Sequence, residues 1–441
     1  MIFNIVLKST KDDNFSIAES AIEKTISLPP FNYEGVVYPI SHNINRILSK
    51  YKLSPSEWIS DFMNLSLAVY SSDQLISRKQ FGFYNWSRHI KLHIPVIDEK
   101  LWENNKEIVE QLLSFLSGDK WEVLFRSRNS YFNETLVVKP NIDNACLFSG
   151  GLDSFVGGIN ALNDNKDTVF VSHHKGGNSG EKTIQSLLVK ALKDEFELKD
   201  VTHFSFFVQP QQKNNIYGKE SSQRARSILF IALGLLVANS YGDRTTLLIP
   251  ENGLISLNVP LTKTRLGSYS TKTTHPKFID KINILLNNLG IENKLLNPYG
   301  FLTKGEMLQN CERIDILKKY SSRTLSCSKA GYYKQWQGAE EEQCGFCTPC
   351  IIRRSAMKGA GIESYDSKYY LNIKRDSPSP KDQRGRDLRA FKIGIERINS
   401  EKDKNLFSLL SAGSLPGSEN DLKNYLDVYI RGMREVEEFI N

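Results

Sequence analysis

Short apolar runs with partial alternation mark the first part of the chain: "FNIVLKS" (3–9), "LSLAVYSS" (65–72), "HIKLHIPV" (89–96) and "WEVLFRSR" (121–128). Such runs, separated by polar segments, predict β-strands. Between the last two, "ENNKEIVEQLLSFLSG" (103–118) spaces Ile108, Leu112, Leu113 and Leu116 as one helical face and ends at a glycine, the mark of a helix stop. Residues 1–140 therefore read as a separate antiparallel α+β unit, a scaffold or partner-binding domain with no recognisable catalytic cluster.

From residue 144 the pattern changes. "ACLF" (145–148), "DTVFVSHH" (167–174), "VTHFSFFV" (201–208) and "TTLLIP" (245–250) are buried-strand runs. Amphipathic or wholly apolar segments lie between them: "EKTIQSLLVKALKDEF" (181–196) and "SILFIALGLLVANSYG" (227–242). Regular alternation of strand and helix predicts an α/β fold with a parallel sheet covered on both faces. Right-handed crossovers then gather the loops after the strands on one edge, where a site belongs. The second domain runs over 141–373. Residues 374–441 open with a polar, basic stretch, "KRDSPSPKDQRGRD" (374–387), and finish as a helical segment that docks on the main domain.

Composition narrows the class. With 441 residues, 40% hydrophobic and 24% charged, the chain reads as a soluble protein of two or three domains. A net charge of +7 permits a polyanionic partner without requiring nucleic acid. The longest apolar run, "ILFIALGLLVA" (228–238), is about half the ~20 residues a membrane span needs. "MIFNIVLKST" lacks the features of a secretory signal, and six cysteines in so long a chain are not a disulfide framework. The expected compartment is the cytoplasm.

Two clusters carry chemistry. "ACLFSGGLDSFVGGINAL" (145–162) runs from a buried strand through Ser149, Gly150, Gly151, Leu152, Asp153 and Ser154 into a helix. A loop in that position points backbone N–H groups and a helix dipole at one spot, which favours an anion. The alternative is a plain glycine-rich turn. Asp153 would repel a phosphate, so its role there is to hold Mg²⁺. Neither a Walker loop nor a dinucleotide fingerprint is present. Further on, Cys327 precedes Cys344, Cys347 and Cys350, a C-x2-C-x2-C run. Four such thiolates suit a structural Zn²⁺, with an iron–sulfur cluster as competitor. Cys146 and Cys311 read as ordinary buried residues.

The Ser-Gly-Gly-x-Asp-Ser element resembles the PP-loop of the N-type ATP pyrophosphatases, an adenine nucleotide alpha hydrolase-like, Rossmann-like fold. With Ser326-Cys327, Cys344-Gly345-x-Cys347-x-x-Cys350, Arg353 or Arg354, Ala356 and "LTKGEM" (302–307), residues 144–362 resemble the QueC-like family, the 7-cyano-7-deazaguanine synthases. The added N-terminal region and the altered segment 251–278 bring the pattern closest to the QueC-like, QatC-type proteins of the Qat anti-phage defence system. The resemblance implies ATP, Mg²⁺ and Zn²⁺ as cofactors. It also implies adenylation of the carboxylate of 7-carboxy-7-deazaguanine with release of pyrophosphate, followed by amide or nitrile formation or conjugation to a partner protein of a defence operon. It places Ser149, Gly150, Gly151, Leu152, Asp153 and Ser154 around the pyrophosphate and Lys304 on the phosphates.

Other candidates follow from position. Arg224 and Arg226 open a helix near the sheet edge, where they hold an acid or ATP or else form a solvated face. Asn252 and Glu251 end a strand. Lys272, Thr273, Thr274 and His275 read a deazaguanine edge or form a surface loop. His173 and His174 close a strand, with a structural role equally open. Competing functions are a PP-loop tRNA-modifying enzyme and a non-enzymatic nucleotide-binding subunit of a homo- or hetero-oligomeric complex.

Overall fold

The computed structural model describes residues 1–32, 40–131, 141–164, 167–176, 180–199, 202–211, 216–218, 220, 222–261, 272–330, 343–373, 382–400 and 405–441. The first part carries β1 (Ile2–Leu7), β2 (Glu23–Leu28), β3 (Ile40–His42), α1 (Ile44–Tyr51), α2 (Glu57–Leu75), α3 (Arg78–Phe81), β4 (His89–Val96), α4 (Glu99–Asn104), α5 (Lys106–Ser117) and β5 (Lys120–Ser127). β2, β1, β4 and β5 form a four-stranded sheet in that order, and every pairing is parallel. The expected antiparallel unit is thus corrected. Each connection is long enough to carry the chain back to the same end of the sheet, as parallel neighbours require.

"LSLAVYSS" is also corrected: it lies inside α2. That helix starts at Ser56, whose hydroxyl accepts from the Ile59 N–H at 3.4 Å, and it is buried around nearly its whole circumference. A helix covered on all sides shows no 3.6-residue stripe, and its apolar run then reads like a buried strand.

The remainder carries β6 (Asn144–Leu147), α6 (Leu152–Asn163), β7 (Thr168–His174), α7 (Gly180–Glu195), β8 (His203–Pro210), α8 (Arg226–Tyr241), β9 (Thr246–Leu248), α9 (Gly253–Leu257), α10 (Pro276–Asn288), β10 (Leu295–Leu296), α11 (Lys304–Gln309), α12 (Ile314–Tyr320), α13 (Thr348–Gly359), α14 (Arg386–Ser400), α15 (Asn405–Leu410) and α16 (Glu419–Ile440). The second sheet has the order β10-β9-β6-β7-β8-β3. Its first five strands are parallel, and β3 adds antiparallel to β8, with Ile40 opposite Pro210 and His42 opposite Val208. The sheet is therefore mixed rather than purely parallel.

The stretches on either side of residue 140 share more than that strand. Asn43 bridges to β8, accepting from the Phe207 N–H at 2.7 Å and donating to the Ser205 carbonyl at 3.1 Å. α2 packs on α8 and on β1 and β4, and one continuous apolar core runs from Phe3 and Val69 to Leu229 and Leu247. A second core lies under α14 and α16 and includes three of the clustered cysteines. Cys146 and Cys311 are buried, as expected. Among the described residues no helix is long and apolar enough to cross a membrane. Most of the basic stretch 374–387 lies outside the described residues.

Candidate functional site

The apolar strand β6 ends at Leu147, and the chain turns through Ser149, Gly150 and Gly151 into α6. Gly150 has φ +82°, and a Cβ there would stand 3.2 Å from Ile184 Cγ2, so the turn requires glycine. The loop hydroxyls bond within the turn, with Ser149 exposed and Ser154 buried. Ser149 Oγ accepts from the Gly151 N–H at 3.2 Å and lies 3.2 Å from Ser154 Oγ, and Ser154 Oγ donates to the Gly151 carbonyl at 3.0 Å. Leu152 offers only its backbone, because its side chain is fully buried. A distant segment crosses the loop: the Leu325 N–H donates to the Gly150 carbonyl at 2.9 Å, and Ser326 Oγ lies 3.5 Å from the Leu152 nitrogen.

Asp153, in the first turn of α6, is buried. Its Oδ1 pairs with the ammonium of Lys304, the first residue of α11. Its Oδ2 accepts from the backbone N–H of Asn252 at 3.1 Å and from Asn252 Nδ2 at 2.7 Å. Asn252 is held in turn as the N-cap of α9, accepting from the Ile255 N–H at 3.2 Å. Burial alone would raise the Asp153 carboxyl. The Lys304 charge and hydrogen bonds from Glu251, Lys304 and Asn252 outweigh it and hold the group below the ordinary carboxylate range. Burial and the neighbouring Asp153 charge push Glu251 well above its ordinary value.

The four cysteine sulfurs lie within 4.8 Å of one another. Cys327 and Cys347 are 3.9 Å apart and Cys344 and Cys350 3.8 Å apart. A tetrahedral ion with metal–sulfur bonds of about 2.3 Å sets its sulfurs about 3.8 Å apart, so the set fits one closed structural metal such as zinc. Backbone N–H groups of Lys329, Cys344 and Cys347 donate to Cys327 and Cys344 sulfurs, each at 3.3 Å, which stabilises thiolates. Gly345, between two ligands, has φ +81° and lets the chain wrap the ion.

Arg353 joins this centre to the loop. Fully buried on α13, it donates to Asp366 Oδ1 at 2.8 Å, to the Thr324 carbonyl at 3.0 Å and to the Ser321 carbonyl at 2.7 Å. These contacts fix the segment that continues as Leu325 and Ser326 over Gly150. The cysteine cluster is therefore tied to the loop through 320s residues that the sequence leaves as irregular chain.

The other predicted residues are placed unevenly. Arg226 opens α8, partly exposed, with its guanidinium 3.6 Å from Glu181 of α7. Thr273 Oγ1 meets Ser227 Oγ at 2.6 Å, and the Thr274 carbonyl accepts from Ser256 Oγ at 2.7 Å, so this polar stretch joins the same sheet edge. His275 is completely buried, caps α10 by accepting from the Lys277 N–H at 3.2 Å, and packs on the Phe115 ring at 5.1 Å. Lys272 stands 4.0 Å over that ring, and burial and Lys277 push it down to about 8. Residues 262–271 of the same segment lie outside the described residues. Arg224 belongs to the first part of the molecule: it donates to the Ser117 carbonyl at 2.8 Å and stacks 4.2 Å from the Trp86 ring. His173 faces the Val208 carbonyl at 3.4 Å and His174 the Lys175 carbonyl at 2.9 Å.

Two residues escaped the sequence reading. Gln185 of α7 donates to the Ser149 and His173 carbonyls, each at 3.3 Å, tying the loop to β7. Glu435 of α16 contacts Thr303 and Gly305 beside Lys304. Its signal was available: it interrupts the apolar stripe Val428, Gly432, Phe439 of α16, where a charged side chain needs a partner. No model of a known protein family matches the chain, and no curated protein matches it.

Proposed function

We propose that the protein is a QueC-like, ATP-dependent carbon–nitrogen ligase that adenylates the carboxylate of a 7-deazaguanine acid and releases pyrophosphate. One observation carries the reading: residues distant in sequence, Asp153, Asn252 and Lys304, meet directly beside the Ser149–Ser154 loop. A carboxylate reacts poorly because oxide is a poor leaving group; adenylation replaces it with a good one. Catalysis then needs cations on the departing pyrophosphate and precise placement of the acyl carbon. Lys304 supplies a cation, and the first N–H groups of α6 supply donors once Ser326 yields its place at Leu152. Asp153 and Glu251, two adjacent carboxyl groups, fit a hard divalent ion; they would hold Mg²⁺, which neutralises phosphate charge when bound. Arg226, with Thr273 and Thr274, is the candidate reader of the acid. We assign the cysteine centre a structural zinc, and its Arg353 link braces the loop.

The altered substrate segment and the first 140 residues favour an acceptor beyond ammonia, such as an amine of a partner protein in an anti-phage complex in the cytoplasm. ATP–pyrophosphate exchange, measured with and without 7-carboxy-7-deazaguanine, tests the reading. Exchange that depends on the acid supports it. Exchange only with tRNA supports an RNA-modifying enzyme, and none with any acid or RNA supports a nucleotide-binding subunit. Mass spectrometry of co-expressed partners tests conjugation, and partners that stay unmodified in an active complex exclude it.

A further inference from the structure

The C-terminal helix grips the turn that carries the lysine. α16 packs on α13 and α9 and presents Arg431 and Glu435, one turn apart, to the start of α11. Glu435 Oε2 accepts from Thr303 Oγ1 at 2.8 Å and from the Gly305 N–H at 3.0 Å. Arg431 pairs with Glu306 and donates to the Phe301 carbonyl at 3.1 Å. Glu306 in turn accepts from the Thr303 N–H at 2.8 Å, closing a capping box. Lys304 lies between Thr303 and Gly305, and its side chain leaves this turn for Asp153. A Cβ on Gly305 would overlap the Glu435 carboxylate, so the approach is possible only at glycine.

We infer that Glu435 is a positioning residue: by holding both neighbours of Lys304 it sets the direction of the lysine toward Asp153, and so couples the C-terminal helix to the centre. The inference rests on the reading of that centre as the place where pyrophosphate departs. A ligand cation misplaced by a fraction of a turn loses stabilisation that develops only in the transition state. Glu435 should therefore act on kcat rather than on ATP binding. Simple docking of a tail would change stability alone.

The test uses the full-length protein with Glu435→Ala, Glu435→Gln, Lys304→Met and the Glu435→Ala/Lys304→Met pair. Mass-spectrometric amide exchange over residues 305–309 should be about ten-fold faster in Glu435→Ala and largely restored in Glu435→Gln, whose amide oxygen still accepts both bonds. The pair should depart from the product of its single effects by about three-fold or more. In the ATP–pyrophosphate assay Glu435→Ala should lower kcat about ten-fold with the KM for ATP within about two-fold, and Glu435→Gln should recover it. Additive amide-exchange effects, or an unchanged kcat, overturn the inference. An inactive wild-type protein removes the ligase reading instead, and the exchange cycle still decides whether Glu435 and Lys304 are coupled.

Discussion

The Lys304 ammonium and the Asp153 carboxylate meet inside the protein, each from the first turn of a different helix, while Asn252 holds the opposite oxygen of the acid. Removing one charge leaves the other buried and uncompensated. Lys304→Met should cost about 3–5 kcal/mol, seen as a lower thermal midpoint. Adding Asp153→Asn removes the stranded charge and should recover much of that loss, while pyrophosphate exchange stays abolished in both. A double variant no more stable than Lys304→Met would show that the pair contributes by shape rather than by charge.

Metal analysis should find one zinc ion per chain. Cys350→Ser should lose it, because the set offers one sulfur for each of the four positions of a tetrahedral ion. The loss should spread to the loop through Arg353 and Ser326 as faster amide exchange at Leu325. Full zinc occupancy in Cys350→Ser would contradict a closed four-sulfur site.

Gly150→Ala should destabilise the protein by about 1–3 kcal/mol, because the turn demands a backbone conformation that alanine resists and places the new methyl against Ile184. Thermal unfolding measures the cost. A neutral substitution would mean that the turn can rearrange freely.

His275 is held down to about 3 by burial and by the Lys272 and Lys277 charges, from an ordinary value of 6.5. The unfolded chain therefore takes up its proton first as pH falls. Stability from this group is complete above pH 6.5 and is lost between 6.5 and about 3, at about 1.4 kcal/mol per pH unit. His275→Asn keeps a side-chain cap and removes the titration, so stability measured across that window should depend less steeply on pH. An unchanged slope would refute the assignment.

Much of the second sheet was legible because its strands, bounded by turn residues, alternate with amphipathic helices of ordinary length. The cysteine set was legible from spacing alone. α2 was not, since burial on every side removes the periodicity that distinguishes helix from strand. β3 was not, because three residues carry no pattern and their pairing depends on a strand far along the chain. At the site, Asp153 and Lys304 stood out by motif, whereas their contact is a product of topology. Arg224 and His275 carry two readings in the sequence, ligand reader or solvated face and surface loop, because polarity at a sheet edge does not separate them; in the structure Arg224 donates to the Ser117 carbonyl and His275 packs on the Phe115 ring.

The three residues of β3 also decide how the molecule can be divided. A fragment beginning near residue 141 would leave β8 as an open edge of unpaired N–H and C=O groups and would strip α2 from the apolar side of α8. Bare edges recruit other strands. Such a truncation should self-associate into sheet-rich aggregates, while co-expression of residues 1–140 as a separate chain should restore a soluble pair.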